Sequence, residues 1–331
     1  MPGLLQAPDS KFGSVKFVYA LAAEFLGVML FTFAGTTTPV GPTSTQTGTT
    51  TTSGNNATAN WAPWGNGMSL AVLVYITANI SGGHLNPAVT LATIFTGHIS
   101  IVKGIAYIFM QITGACFGVL MVAGLVPGTY IGMGNKGTGC FNTGTDITLG
   151  MLFGWETVMT FVLVSTVYAV AIGEPSFGVV GPFAVGLSLF AMVFAGSQFT
   201  GTAINPARAL GPAIVFHCHW NVIWLYVIAE CVGGVIAGIL AGPLYGVGSP
   251  WLKIMLPWIK ETEVVDASGK VVDKSNPSKK ENPSKKESEQ SEIYDTTGTD
   301  GGLSPLYAGK PDSGGANGLS GNNHEGLTTL V

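Results

Sequence analysis

Long apolar stretches restrict the fold of this chain more than any other feature. Five or six segments carry almost no charge, and we place them near residues 17–35, 64–80, 105–126, 150–172, 179–196 and 222–245. A helix rising about 1.5 Å per residue needs about twenty residues to cross a bilayer core roughly 30 Å thick. Two further apolar pieces, at 86–96 and 205–215, are too short to cross. The pattern predicts an all-α membrane protein with six transmembrane helices and two re-entrant half-helices.

The charged residues are concentrated at one end of the chain. Nine of the fourteen Lys and Arg residues follow residue 247, where the composition shifts to Lys, Glu, Ser, Gly and Asn. Such a segment cannot bury enough apolar surface to fold. We therefore expect a cytoplasmic N-terminus at 1–16, a membrane domain at 17–246 and a disordered cytoplasmic C-terminal tail at 247–331.

The distribution of lysines predicts the orientation in the membrane. Lysines precede the first span, lie between the second and third spans, and follow the sixth, whereas only Lys136 lies on the opposite side. The positive-inside rule then places both termini in the cytoplasm. The loop after the first span lies outside, and its Asn56-Ala57-Thr58 triplet is a glycosylation acceptor sequence. We therefore predict glycosylation at Asn56.

An internal repeat links the two halves of the chain. The segments SGGHLNPAVT and TGTAINPARA share Asn-Pro-Ala, and their asparagines, Asn86 and Asn205, are 119 residues apart. The same offset pairs Gln111 with Glu230 within the third and sixth spans. Because the offset contains an odd number of crossings, the second half is inverted relative to the first. Inverted repeats of this kind place the site of a transport protein near the bilayer midplane.

The Asn-Pro-Ala triplet has a specific chemistry at the start of a helix. Asn is a preferred N-cap, and Pro at the first helical position has no N–H to leave unsatisfied. Each Asn then keeps its NH₂ group as a donor, directed into the space that the two half-helices share. The positive ends of both helix dipoles face that space and disfavour a cation there. We predict that these triplets line a pore: Asn86, Pro87, Ala88, Asn205, Pro206 and Ala207.

Together, SGGHLNPAVT, TGTAINPARALGPA and the glutamates of spans one and four resemble the aquaporin (major intrinsic protein) family over about residues 15–246. The resemblance implies a channel domain assembled as a homotetramer in a lipid bilayer, with one pore in each protomer. Gly97-His98-Ile99 is similar to the plant tonoplast branch. We nevertheless expect a multi-pass protein of the plasma membrane rather than of a vacuolar or other internal membrane.

Arg208 is the only arginine of the chain and follows the second triplet, inside the membrane. Intramembrane charge is costly and usually functional. In the resembled family this residue lines the narrowest point of the pore. The family's spacing from the two asparagines implies that the selectivity filter consists of Asn66, Val193, Thr202 and Arg208. Strict water channels carry bulky groups at the first two positions, so we expect a wider opening here.

Three further polar residues accompany the two loops. The family suggests that Glu24 and Glu156 accept backbone N–H bonds from the re-entrant loops, which would otherwise be unpaired in a dry environment. A proton relay is the alternative, since chains of carboxylates also mark pumps. We interpret His84 as a structural residue beside the first triplet.

We expect a passive channel for water, with small neutral solutes as further substrates, that excludes protons and ions. The alternative is a facilitator for glycerol, urea, ammonia or hydrogen peroxide, although Ala209 and Ala213 stand where glycerol-conducting relatives carry Asp and a basic residue. A third hypothesis is a membrane scaffold whose C-terminal Thr-x-Val, ending at Val331, binds a PDZ-type partner.

Several classes of site are not expected in this chain. No cluster of nucleophile, base and orienting group suggests an enzyme, so we expect no catalytic residues, and we expect no metal, no cofactor and no nucleic-acid partner. The four cysteines have no CxxC spacing. We interpret them as three membrane-buried small residues and one loop thiol rather than as a structural disulfide.

Overall fold

The computed structural model describes residues 13–37, 61–126, 138–141, 143–144, 146–173 and 176–247. The predicted glycosylation site Asn56 and the C-terminal tail with Val331 lie outside the described residues. The predicted membrane domain at 17–246 is therefore described except for residues 38–60, 127–137, 142, 145 and 174–175.

Helices make up almost all of the described part of the chain. The tight 3₁₀ turn Gly178–Val180 precedes the sixth helix, and the π-helical turn Tyr168–Ile172 continues the fifth. The α-helices are α1 Val15–Thr37, α2 Ala62–Ser81, α3 Pro87–Phe95, α4 Ile101–Leu125, α5 Leu149–Val167, α6 Gly181–Thr200, α7 Pro206–Phe216 and α8 Trp220–Tyr245.

The helix lengths separate spans from half-helices. Among the described residues, five helices are long and apolar enough to cross a membrane by length and composition: α1, α4, α5, α6 and α8. Helix α2 has 20 residues, a spanning length, but Asn66, Ser69 and Asn79 lower its hydropathy. Helices α3 and α7 have 9 and 11 residues and cannot cross. The predicted all-helical fold class is confirmed.

The inverted repeat is visible in how the helices pack. In the first half α1 packs against α2 and α4, and in the second half α5 packs in the same way against α6 and α8. The half-helices cross over, because α3 packs chiefly against α8 and α7 chiefly against α4. Each half-helix is thus held by a span of the other half.

One glycine ends the second helix of each half. Gly82 follows α2 with a φ of 98°, and Gly201 follows α6 with a φ of 79°. Glycine adopts this left-handed conformation without the steric penalty of a Cβ, which makes it a common helix terminator. At both positions the chain leaves the helix and enters the loop that leads to a half-helix.

Glycines also allow the closest contacts between spans. A Cβ on Gly114 of α4 would overlap the Phe25 carbonyl of α1, and a Cβ on Gly233 of α8 would overlap the Thr157 carbonyl of α5. Small residues at such points let helix backbones approach closely within a membrane. The equivalent contact in each half fixes α1 on α4 and α5 on α8, and so fixes the frame around the two loops.

Candidate pore

Both Asn-Pro-Ala triplets begin a half-helix. The Asn86 Oδ1 accepts a hydrogen bond from the Ala88 N–H at 2.8 Å. The Asn205 Oδ1 accepts from the Ala207 N–H at 3.0 Å and from the Arg208 N–H at 3.4 Å. Both asparagines are extended N-caps, and each is followed by a proline at the first helical position. Local chemistry therefore defines where α3 and α7 begin.

The asparagine amides also join the two halves. The Asn86 Nδ2 donates to the Ile204 carbonyl at 2.9 Å, and the Asn205 Nδ2 donates to the Leu85 carbonyl at 2.8 Å. An amide NH₂ group has two hydrogens, so these bonds leave each asparagine one N–H for a solute. The N-termini of α3 and α7 thus meet head to head, with one remaining donor on each side.

The residues before the two asparagines have a strained backbone. Leu85 has a φ of 49° and Ile204 has a φ of 55°, in the left-handed region that bulky or β-branched residues rarely adopt. The Leu85 N–H donates to the Glu24 Oε2 at 2.8 Å, and the Ile204 N–H donates to the Glu156 Oε2 at 3.0 Å. Because their carbonyls accept from the asparagines, these peptides are held on both sides, which offsets the cost of the strain.

Glu24 is saturated with donors. It is fully buried, and its carboxylate accepts hydrogen bonds from the Ser81 hydroxyl at 2.6 Å, the His84 N–H at 3.0 Å, the Leu85 N–H at 2.8 Å and the Gln111 Nε2 at 2.7 Å. A carboxylate with four donors has its lone pairs satisfied in the ionised form. This arrangement favours support of the loop over a proton relay.

Glu156 has the corresponding position in the second half. This buried carboxylate accepts from the Thr200 hydroxyl at 2.6 Å, the Ala203 N–H at 3.2 Å and the Ile204 N–H at 3.0 Å. The loop before α7 therefore rests on Glu156 as the loop before α3 rests on Glu24.

An open cavity extends from the two asparagines towards the last residues of α5 and the first residues of α6. His84 lies at its wall, with Nδ1 3.2 Å from the Thr90 hydroxyl and its ring edge against Tyr107. Most of the wall is apolar, so a solute there finds hydrogen-bond partners chiefly near the asparagines. The side chains that contribute include Phe31, Leu70, Val74, Val89, Leu163, Val167, Val185 and Leu189.

Arg208 lies beyond the asparagines, away from this cavity. Its Nη1 donates to the Gly139 carbonyl at 3.1 Å, and its guanidinium carbon lies 4.6 Å from the centre of the Phe141 ring. Its Nε is buried and has no hydrogen-bond partner among the described residues. Within the described residues Arg208 contacts no carboxylate, so its charge is not neutralised by an ion pair.

The other predicted filter residues present little bulk. The Asn66 amide donates to the Ala62 carbonyl of its own helix at 2.9 Å, with a longer contact of 3.5 Å to the Gly35 carbonyl of α1. Its side chain is therefore turned against backbone. Val193 and Thr202 are buried, and in the described part of the chain the Thr202 hydroxyl has no hydrogen-bond partner. The first two filter positions thus lack a large side chain.

A disulfide joins Cys140 to Cys218, so the expectation that the cysteines form no structural disulfide is wrong. The two residues are 78 positions apart, so the fold and not the local sequence brings them together. Cys140 lies between Gly139 and Phe141, the two residues that contact Arg208. The disulfide therefore ties the loop that holds the arginine to the end of α7. Cys116 and Cys231 are free.

A hydrogen-bonded group lies where α3 ends. The His98 Nδ1 is 2.8 Å from the Thr96 hydroxyl, which is 2.7 Å from the Tyr168 hydroxyl at the start of the π-helical turn. Burial lowers the pKa of His98 below its ordinary value, so this loop side chain is neutral at neutral pH. The group connects α3 to the end of α5.

Several residues that support the loops are not among those predicted from the sequence. The Tyr107 hydroxyl donates to the Ser81 carbonyl at 2.7 Å, and the Tyr226 hydroxyl donates to the Thr200 carbonyl at 2.6 Å. These pairs obey the 119-residue offset of the triplets, so the repeat could have identified them. Phe141 and the two bonded cysteines have no such signal.

Comparison with known proteins places these features in a family. The family model for the major intrinsic protein matches residues 11–241. Aquaporin TIP1-2 of Musa acuminata is 34% identical over 242 residues, which is 72% of this chain and 88% of that protein. Aquaporin TIP1-1 of Arabidopsis thaliana is 37% identical over 224 residues, covering 67% and 84% respectively.

The fold has a counterpart among solved structures. The X-ray structure of the aquaglyceroporin from Plasmodium falciparum superposes with a TM-score of 0.56 at 21% identity, covering 73% of this chain and 98% of that one. At this identity the likeness concerns the fold alone.

The predicted preference for the plasma membrane is wrong. The relatives above are TIP aquaporins, the tonoplast (vacuolar) type, and they point away from the plasma membrane. The similarity covers two thirds or more of the chain, whereas the Gly97-His98-Ile99 segment that resembles this branch has only three residues. The multi-pass membrane character agrees with the apolar helices.

Proposed function

The chain belongs to the major intrinsic protein family, and on this premise we propose that it is a passive transmembrane channel for water that excludes protons and ions. Members of this family are channels rather than enzymes. The head-to-head meeting of α3 and α7, capped by Asn86 and Asn205, carries the proposal. Each asparagine offers one N–H to a passing oxygen atom, and both positive helix ends repel a cation at the same point.

The filter adds a second barrier to cations. We propose that it is formed by Asn66, Val193, Thr202 and Arg208. The Arg208 charge has no carboxylate partner among the described residues, and its buried Nε and the Thr202 hydroxyl remain available to a passing solute. A group that donates hydrogen bonds and carries a fixed positive charge favours water over cations.

The small side chains of this filter support a wider solute range. Asn66 bonds to backbone and Val193 is not bulky, which supports an opening wider than the roughly 2.8 Å that a water molecule of ~1.4 Å radius requires. We therefore propose that the channel also passes at least one of glycerol, urea, ammonia and hydrogen peroxide.

Narrowing the filter tests this proposal. The double variant Asn66→Phe with Val193→His is expected to abolish passage of the second solute while retaining water flux, because it adds bulk at both positions without removing Arg208. The measurement is swelling of liposomes that contain the purified protein, with each solute in turn. Phe194→His, at an exposed neighbouring position, is the matched control and should behave like the parent. A parent protein that passes water alone would overturn the proposed width.

We also propose that both termini are cytoplasmic. The disulfide supports this orientation, because disulfides persist in oxidising compartments and Cys140 and Cys218 lie at the end of the bundle opposite the Lys103 loop under this topology. A homotetramer with one pore in each protomer is the assembly that family membership favours.

Glycosylation at Asn56 tests the orientation. In a host with a secretory pathway, treatment with a glycosidase should increase the gel mobility of the protein, and Asn56→Gln should remove this shift. The reason is that the proposed topology exposes the loop after α1 on the glycosylated side. Labelling of a cysteine introduced beside Asn56 from the cytoplasmic face would contradict the topology.

A further inference from the structure

Glu230, near the middle of α8, is a buried acid that is not among the pore residues described above. It is fully buried, and among the described residues neither of its carboxyl oxygens has a partner at ordinary hydrogen-bond distance, although the Asn205 backbone N–H lies close. An ionised carboxylate without donors is very costly in a low-dielectric interior. The Glu230 carboxyl group must therefore be either neutral or hydrogen-bonded.

The hydrogen bonds around Glu24 and those around Glu156 correspond residue by residue. This correspondence shows which residue of the first half is the counterpart of Glu230. In each half a hydroxyl donates to the glutamate, a tyrosine donates to the carbonyl of that hydroxyl residue, and two consecutive backbone N–H groups complete the set. At the 119-residue offset the pairs are Ser81 and Thr200, His84 and Ala203, Leu85 and Ile204, Tyr107 and Tyr226, and Gln111 and Glu230.

Gln111 and Glu230 are the pair in which the chemistry differs most. The Gln111 Nε2 supplies the fourth donor to Glu24, at 2.7 Å. Glu156 accepts three hydrogen bonds from the described residues. At the position where Gln111 supplies the fourth donor in the first half, the second half has Glu230. An ionised carboxylate cannot donate, whereas a protonated carboxyl group has one O–H donor.

The surroundings of Glu230 add no positive charge. Its titratable neighbours among the described residues are Glu156 on α5 and Tyr226 and Cys231 on its own helix. The Asn205 backbone N–H also lies close to its carboxyl group. Arg208 donates to the Gly139 carbonyl instead. The 119-residue offset puts Glu230 in the position relative to Glu156 that Gln111 has relative to Glu24. Two carboxylates so placed in a dry site cannot both ionise without a large cost, so one of them retains a proton.

We propose that Glu230 is protonated and donates its hydrogen to Glu156, so that the two carboxyl groups share one proton and together hold the loop before α7. Glu230 then acts as a positioning residue for Thr202 and Asn205. The pair carries one negative charge, as the Glu24 and Gln111 pair does. The inference rests on the loop contacts and does not depend on which solutes pass.

Infrared spectroscopy of the full-length protein in lipid tests the shared proton directly. At neutral pH the parent should show a protonated-carboxyl C=O band, and Glu230→Gln should lose it while remaining folded. Gln111→Glu makes the first half resemble the second and should strengthen the band. A parent without the band, or a band unchanged in Glu230→Gln, would overturn the proposal.

A second measurement separates hydrogen bonding from packing. Glu230→Gln gives the second half the same amide side chain that Gln111 has in the first half. This variant should keep the parent's thermal midpoint and water permeability. Glu230→Leu fills a similar volume but cannot donate, so its thermal midpoint should fall and its solute selectivity should shift. Gln111→Leu is the matched change in the other half. Equal stability of Glu230→Leu and Glu230→Gln would show that only volume matters, and the proposal would fail.

Discussion

Arg208→Ala is expected to admit protons or small cations while water permeability stays within a few-fold of the parent. The guanidinium carries a permanent charge that no carboxylate of the described residues neutralises, and the Gly139 carbonyl and the Phe141 ring hold it in place. For a cation about 4 Å away, one unit charge at an effective dielectric constant of about 20 raises the energy by about 4 kcal/mol. A change of this size in a barrier corresponds to about a thousandfold in rate.

The experiment pairs liposome swelling with a proton-leak dye assay on the same preparation. Arg208→Lys is the matched control, since it keeps a positive charge and should preserve most of the cation exclusion while losing the fork of donors. Water flux in Arg208→Ala changes little because the asparagine donors remain. Proton-tight Arg208→Ala liposomes would show that the helix dipoles at Asn86 and Asn205 suffice for exclusion.

Glu156→Ala is expected to reduce the amount of folded protein far more than the permeability of each remaining channel. The substitution leaves the Thr200 hydroxyl and the N–H groups of Ala203 and Ile204 without an acceptor. A buried group without its partner costs about 1–3 kcal/mol. Three such groups approach the typical total stability of about 5–15 kcal/mol. Glu24→Ala removes the acceptor for the equivalent loop and should behave in the same way.

Size-exclusion chromatography gives the folded fraction, and stopped-flow swelling normalised to folded protein gives the permeability. Glu156→Gln keeps one acceptor oxygen and should fall between the parent and Glu156→Ala. Should Glu156→Ala remain fully folded while its transport becomes dependent on pH, the proton-relay hypothesis for the buried glutamates would replace loop support.

Much of the architecture could be predicted from contiguous residues. Span length follows from hydropathy, and α2 was placed despite Asn66 and its other polar residues because its length is right. The starts of α3 and α7 follow from Asn-Pro-Ala, since capping and the missing proline N–H are local chemistry. The offset between the triplets also relates Gln111 to Glu230 from the sequence alone.

Other parts of the pore could not be predicted in this way. The filter was assigned by spacing from the asparagines, but spacing does not indicate that the Asn66 amide turns back onto the Ala62 carbonyl. The same limit applies to Phe141, whose ring lies against Arg208 although 67 residues separate the two positions. Such contacts depend on which loop the bundle brings over the pore.

The helical membrane fold, the inverted repeat and the two asparagine caps follow from the amino-acid sequence, because each depends on hydropathy or on groups a few residues apart. The folded structure alone establishes that each asparagine gives one N–H to the opposite loop, that Cys140 bonds Cys218, and that no side chain of the described residues donates to Glu230. These contacts join segments that are distant in the chain. Their partners are selected by the packing of α3 on α8 and α7 on α4, which no local pattern specifies.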